Sequence, residues 1–212
     1  GADLEKLVER MGNPLPGGGA AIVGLDGKII AANKKGAEVV RSLGPDHTPL
    51  REVAFMQGDA RIAKLNAARG AVEAAAAMAN GASTARTGLV QPACPATGTV
   101  PNIAATGAGT ICTKNGLVNI INWNPTANLP GASPGGIVDA AGLNSTFPTT
   151  AAALANEGYA VTGGGVAIGS TLTIQVTGGS NAANCSFTYT PSTGAGVGSA
   201  ANVSVPVTTG CY

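Results

Sequence analysis

Four cysteines, Cys94, Cys112, Cys185 and Cys211, are the side chains of this 212-residue chain best suited to covalent chemistry. Their number is even, no Cys-x-x-Cys occurs and no histidine stands beside them, which points to disulfides over zinc. Disulfides in turn imply an oxidising compartment. A catalytic thiolate would need an activating base close by, and the sequence offers none. The single histidine, His47 in Pro45-Asp46-His47-Thr48-Pro49, reads as a solvated turn residue without a second histidine to share a metal. Gly163-Gly164-Gly165 and Gly194-Ala195-Gly196-Val197-Gly198 lack the Lys and Ser/Thr of a phosphate loop and read as turns. Ser186, Ser192 and Ser204 have no Gly-x-Ser-x-Gly context. The chemistry expected is therefore structural: not an enzyme, with no catalytic residue, no cofactor and no metal.

Two other features bear on contact rather than catalysis. Trp123, in Ile121-Asn122-Trp123-Asn124-Pro125, either packs against a sheet or, if exposed, is the best surface contact for a sugar, because an indole face stacks while its N–H donates. Asn144-Ser145-Thr146, Asn184-Cys185-Ser186 and Asn202-Val203-Ser204 satisfy the glycosylation triplet. In so Asn- and Thr-rich a chain they read as chance.

The elements that must position these residues fall into unlike halves. Residues 1–86 hold 20 of the 23 charged side chains, and the remaining 126 residues hold only Lys114, Asp139 and Glu157. A net charge of +1 gives no basic surface for nucleic acid, which needs clustered Lys and Arg to displace phosphate counterions. No apolar run approaches a membrane span, and no signal peptide is seen. With 32 glycines against three Phe, three Tyr and one Trp, the core must come from Ala, Val, Ile and Leu.

Residues 1–52 read as a small mixed α/β accessory segment. Leu4, Leu7, Val8 and Met11 form an amphipathic helical stripe, Ala21–Val23 and Ile29–Ala32 a hairpin around Asp26-Gly27, and a second helix reaches Leu43. Residues 53 to about 80 form a long helix, with Ile62, Leu65, Val72, Ala76 and Ala79 on one stripe and Arg69 its one polar member. Asn80-Gly81 is its expected stop. A loop follows to Thr110. Strands are then expected at Leu117 to Ile121, Ala160 to Ile168, Thr171 to Thr177, Cys185 to Thr190 and Asn202 to Val207, with a short helix over Ala151 to Asn156 capped by Thr149 or Thr150. Thr171 to Thr177 alternates strictly, so Leu172, Ile174 and Val176 should face a core. The fold class is α+β: a spine helix packed on an antiparallel sheet.

Leu25-Asp26-Gly27-Lys28-Ile29-Ile30-Ala31-Ala32-Asn33 resembles the opening hairpin of PAS sensor domains. The larger part, 53–212, resembles the type IV pilins. The likeness is sharpest in Gly58-Asp59-Ala60-Arg61-Ile62-Ala63-Lys64-Leu65-Asn66-Ala67-Ala68-Arg69-Gly70-Ala71-Val72, similar to the second half of the spine helix in the mannose-sensitive haemagglutinin branch. Gly135-Gly136-Ile137-Val138-Asp139-Ala140-Ala141-Gly142-Leu143 and Asn184-Cys185-Ser186-Phe187-Thr188-Tyr189-Thr190 are similar to the same branch. Such pilins start with a leader and an apolar, membrane-anchoring helix half. Here residues 1–54 stand in its place, so a soluble pilin domain carrying a foreign segment is expected.

The resemblance implies a structural subunit of an extracellular, cell-surface filament serving adhesion and surface movement, with other pilin subunits and a host or abiotic surface as partners. Ile62, Leu65, Val72 and Met78 would then face the sheet, while Arg61, Lys64, Arg69 and Glu73 read as solvated charges. Among three connectivities the local one, Cys94 with Cys112 and Cys185 with Cys211, fits the element order, and the second loop resembles the pilin disulfide loop. A sensory protein using the PAS-like segment, and a secreted disulfide-bonded adhesin unrelated to pilins, are the alternatives.

Overall fold

A computed structural model describes residues 21–23, 29–32, 49–194, 196 and 199–212. The expected helices around Leu4 to Met11 and up to Leu43, His47, and most of the PAS-like phrase lie outside the described residues. The chain separates into two units, Gly1–Gln57 and Gly58–Tyr212. In the first, β1 (Ala21–Val23) and β2 (Ile29–Ala32) pair antiparallel, as the hairpin pattern predicts.

Helix α1 (Pro49–Arg86) opens on a proline, whose missing N–H costs nothing in a first turn. It passes the expected stop at Gly81. One helical glycine costs only about 1 kcal/mol relative to Ala, and the turn beyond it is held from outside: Ser83 is fully buried and its hydroxyl donates to the carbonyl of Trp123 at 2.7 Å. The chain leaves the helix at Gly88, whose φ of +73° suits glycine.

Beyond α1 two antiparallel sheets form where the sequence suggested one. The first has the order β3 (Gly109–Thr113), β4 (Gly116–Ile121), β5 (Asn124–Pro125). The second has the order β6 (Tyr159–Gly163), β7 (Leu172–Val176), β8 (Ser186–Thr190), β9 (Asn202–Val203). Pro125 has no N–H with which to extend the first ladder outward. Strand β6 ends at Gly163, earlier than expected, because Gly163, Gly164 and Gly165 take φ of +75°, +89° and +149°, leaving Val166 and Ile168 exposed. Strand β4 is central in its sheet, which fits its imperfect alternation.

Strand β7 obeys its pattern: Leu172, Ile174 and Val176 are buried while Thr173 and Gln175 are less so. Helix α3 (Ala151–Asn156) has Thr150 as cap, its side-chain oxygen accepting from the Ala153 N–H at 3.1 Å. Helix α2 (Ile137–Ala141) was not expected. The main core joins α1, α2, α3, β7 and β8 around Leu65, Val72, Ile137, Leu154, Ile174 and Phe187. A second, smaller core gathers Ile103, Ile111, Val118, Ile120 and Trp123 behind the first sheet.

Candidate functional site

From Gly58 onward the long helix has two faces of opposite character. Leu65, Ala68, Val72, Ala75, Ala76, Ala79 and Ser83 recur at helical spacing and are all buried. Roughly 180° around the axis, at 3.6 residues per turn, Ala63, Ala67, Gly70, Ala74, Ala77 and Gly81 form an exposed stripe. Their steps alternate between four and three residues, the period of a helix-packing seam, and every side chain on it is a methyl group or a hydrogen. Nothing lies within 4 Å of the Cβ position at Gly70 or Gly81. The stripe is a low ridge open to the outside.

Grooves run along both flanks of this ridge. One, of about 730 Å³, is bounded by Glu73, Ala77, Asn80 and Gly81 on the helix and by Asn202 and Val203 of β9. The other, of about 520 Å³, lies between Ala71, Ala74 and Met78 and the edge strand β3 at Ile111 and Cys112. Small side chains create both: an alanine-rich helix cannot fill the space beside a sheet edge.

The residues expected to face the sheet divide accordingly. Leu65 and Val72 are fully buried, and Ile62 is half-buried against the main core. Met78 is a correction: it is 68% exposed and borders the second groove. It stands six residues after Val72, about 120° off the buried stripe at 3.6 residues per turn, so the sheet-facing place that the resemblance implied for it is the wrong face.

The helix charges do more than the solvated reading allowed. The Arg69 guanidinium pairs with Glu73 at 2.6 Å, as its i, i+4 spacing predicts, and its Nε also donates to the carbonyl of Ser204 at 2.8 Å. Lys64 Nζ donates to the Glu157 carbonyl and stands 4.5 Å from the centre of the Tyr159 ring. Arg61 Nη1 donates to the carbonyl of Cys211 at 3.0 Å. These three cations fasten the helix to strand ends and loops of the sheet side. The Tyr159 hydroxyl is shifted above the usual phenol range, first by burial and then by the Glu157 carboxylate.

Both disulfides take the local pairing. Cys94–Cys112 ties the loop after α1 to β3, and Cys185–Cys211 ties the residue before β8 to the one before Tyr212. At sequence separations of 18 and 26, each restricts the unfolded chain by on the order of 3 kcal/mol. The second reaches the helix as well. The Tyr212 ring lies on Gly58, where a Cβ would come within 2.1 Å of it, and its hydroxyl donates to Asp59 at 3.3 Å.

Trp123 takes the packed one of its two expected places, and its alternative as a surface contact is corrected. It is 2% exposed and cannot serve as a surface contact. Asn122 and Trp123 fill the two-residue turn between β4 and β5 with φ of +46° and +61°, the positive pair of a tight hairpin turn. For a tryptophan that backbone costs about 1–3 kcal/mol unless its surroundings impose it. Here they do: its N–H donates to Gly107 at 2.9 Å, its indole Nε1 to Thr87 Oγ1 at 2.8 Å, and its carbonyl accepts from Ser83. The ring covers Gly107, where an added Cβ would fall 2.3 Å from it.

Asp139 was overlooked as a positioning residue. It is 3% exposed, and its two oxygens accept from the backbone N–H groups of Gly136 at 3.2 Å and Thr149 at 2.7 Å. The signal available was its place in the first turn after Gly135-Gly136, where a carboxylate reaches back to the helix start. Among the described residues no group of three or more His, Cys, Asp or Glu could hold a metal ion. Nor, among them, is any helix long and apolar enough to cross a membrane.

No protein-family model matches the chain, and neither curated proteins nor solved structures show a significant similarity to it.

Proposed function

We propose that this protein is a structural subunit of an extracellular filament of the type IV pilus kind, and not a catalyst. The observation that carries the reading is the two-faced helix. One face is spent on the subunit's own core, and the other is a periodic stripe of Ala and Gly that lets a second backbone approach closely, the geometry used wherever helices pack through small residues. Two disulfides, and a stretch of 126 residues from Thr87 onward with only three charges, suit a cell-surface location, where the surroundings are oxidising. Copies of this chain are then the first partners, with host or abiotic surfaces met through the loops.

Thiol trapping tests it. An Ala74→Cys variant should form an intermolecular disulfide that increases with protein concentration, whereas a cysteine at Val166, exposed but far along the sequence from the ridge, should not. Equal trapping at both positions, or none at Ala74, would remove the ridge as an assembly surface.

A further inference from the structure

Three glycosylation triplets that look equivalent in the sequence are not equivalent once folded. Asn184-Cys185-Ser186 is locked: Cys185 is fully buried in its disulfide, and the Ser186 hydroxyl, on a 6% exposed residue, donates to the Ala183 carbonyl at 2.7 Å. Asn202-Val203-Ser204 begins on the paired edge strand β9, and the Ser204 hydroxyl accepts from the Thr188 N–H at 2.9 Å while donating to Val205. Both have their third-residue hydroxyl committed to the fold.

Asn144-Ser145-Thr146 is different. It lies in the connection between α2 and α3, with Ser145 and Thr146 exposed. The Asn144 Oδ1 accepts from the backbone N–H of Thr146 at 2.6 Å, closing a turn that only this triplet makes among the three. One hydrogen of Asn144 Nδ2 goes to the Ala153 carbonyl at 3.2 Å. The turn is fixed on its far side too: Thr149 Oγ1 donates to the Thr146 carbonyl at 3.1 Å, and the Thr149 N–H is held by the buried Asp139. A polar hollow of about 330 Å³ opens beside it, bounded by Lys114, Asn115, Asn144 and Thr146.

We infer that Asn144 is an acceptor for an N-linked sugar. The hydrogen bond donated to Oδ1 stabilises the negative charge that this oxygen takes on as Nδ2 loses a proton to base, and the nitrogen of the resulting imidate is nucleophilic. In the transfer, Nδ2 bonds to the anomeric carbon of a sugar activated as a nucleotide or polyprenyl diphosphate. The carbon–oxygen bond to the diphosphate breaks, the diphosphate leaves with that electron pair, and the amide gives up that one proton to base. The hydroxyl of Thr146 stands exposed for the transferring enzyme to read. A glycan there would hydrate a half of the molecule that has three charges in 126 residues. The inference does not depend on filament assembly, and either can fail alone.

The folded, oxidised protein should be incubated with a soluble N-glucosyltransferase and nucleotide-activated glucose, followed by intact-mass and peptide mapping. The expected result is one hexose, on Asn144, absent from Asn144→Gln and from Thr146→Val. Thr146→Val is exposed and leaves the Asn144 side chain in place, so it separates loss of the acceptor from loss of folding. No hexose on the unaltered protein, a hexose at Asn184 or Asn202 with Asn144 empty, or unchanged modification of Thr146→Val would each overturn the inference.

Discussion

The two cores of the larger unit are built on different principles. The main core is apolar interdigitation: Leu65 and Val72 of the helix meet Ile174 and Phe187 of the four-stranded sheet, with Tyr189 sending its hydroxyl to the Pro125 carbonyl at 2.7 Å. The smaller core is organised around one tryptophan whose backbone takes an unfavourable conformation and whose polar atoms bind the last turns of the helix and a glycine loop. The first can be rebuilt by many side chains of similar volume. The second depends on a specific set of partners, because a small volume of apolar contact has to be supplemented by directed hydrogen bonds. Its dependence on single residues should be the sharper.

Truncating each centre makes the largest test. Trp123→Ala should cost about 3–5 kcal/mol and also loosen the helix beyond Gly81, because Thr87 loses the indole N–H donated to it and Ala82 loses part of the core it packs against, although the main-chain carbonyl that Ser83 binds remains. Leu172→Ala should cost about 2–5 kcal/mol and leave that last turn protected. Urea denaturation with amide exchange at residues 82–86 distinguishes them, and equal protection in both variants would abolish the distinction.

A smaller effect is expected at Gly107. Gly107→Ala puts a methyl group into the indole and an alanine at φ +74°, so a loss of about 1–3 kcal/mol should follow. A change within experimental error would mean that the indole is free to move away. The smallest effect tests the corrected residue: Met78→Gln should alter stability by no more than about 0.5 kcal/mol, whereas a buried, sheet-facing methionine would lose several times that.

The main core was the legible one. Strict alternation placed Leu172, Ile174 and Val176, the helical stripe placed Leu65 and Val72, and a threonine before an alanine run placed the cap of α3, since each signal is local and repeats. The local disulfide pairing followed from element order. Features set by distant partners were hidden. Strand β3, Gly-Thr-Ile-Cys-Thr, has too few apolar residues to stand out and owes its existence to pairing with β4. The helix outran Asn80-Gly81 because Ser83 binds a carbonyl 40 residues away. Trp123 was undecidable from its neighbours, since what buries it is Gly107 and Thr87. The exposed ridge was present in the sequence as Ala63, Ala67, Gly70, Ala74, Ala77 and Gly81. In a helix so rich in alanine, however, only burial separates the outer stripe from the inner one.

The central claim is that the inner stripe builds the subunit while the outer stripe joins subunits. Sedimentation velocity over a concentration series, on the unaltered protein beside Ala74→Arg, tests it most directly. The account predicts concentration-dependent association that Ala74→Arg abolishes at unchanged thermal stability. A monomer at every concentration, or association that survives the arginine, would contradict it.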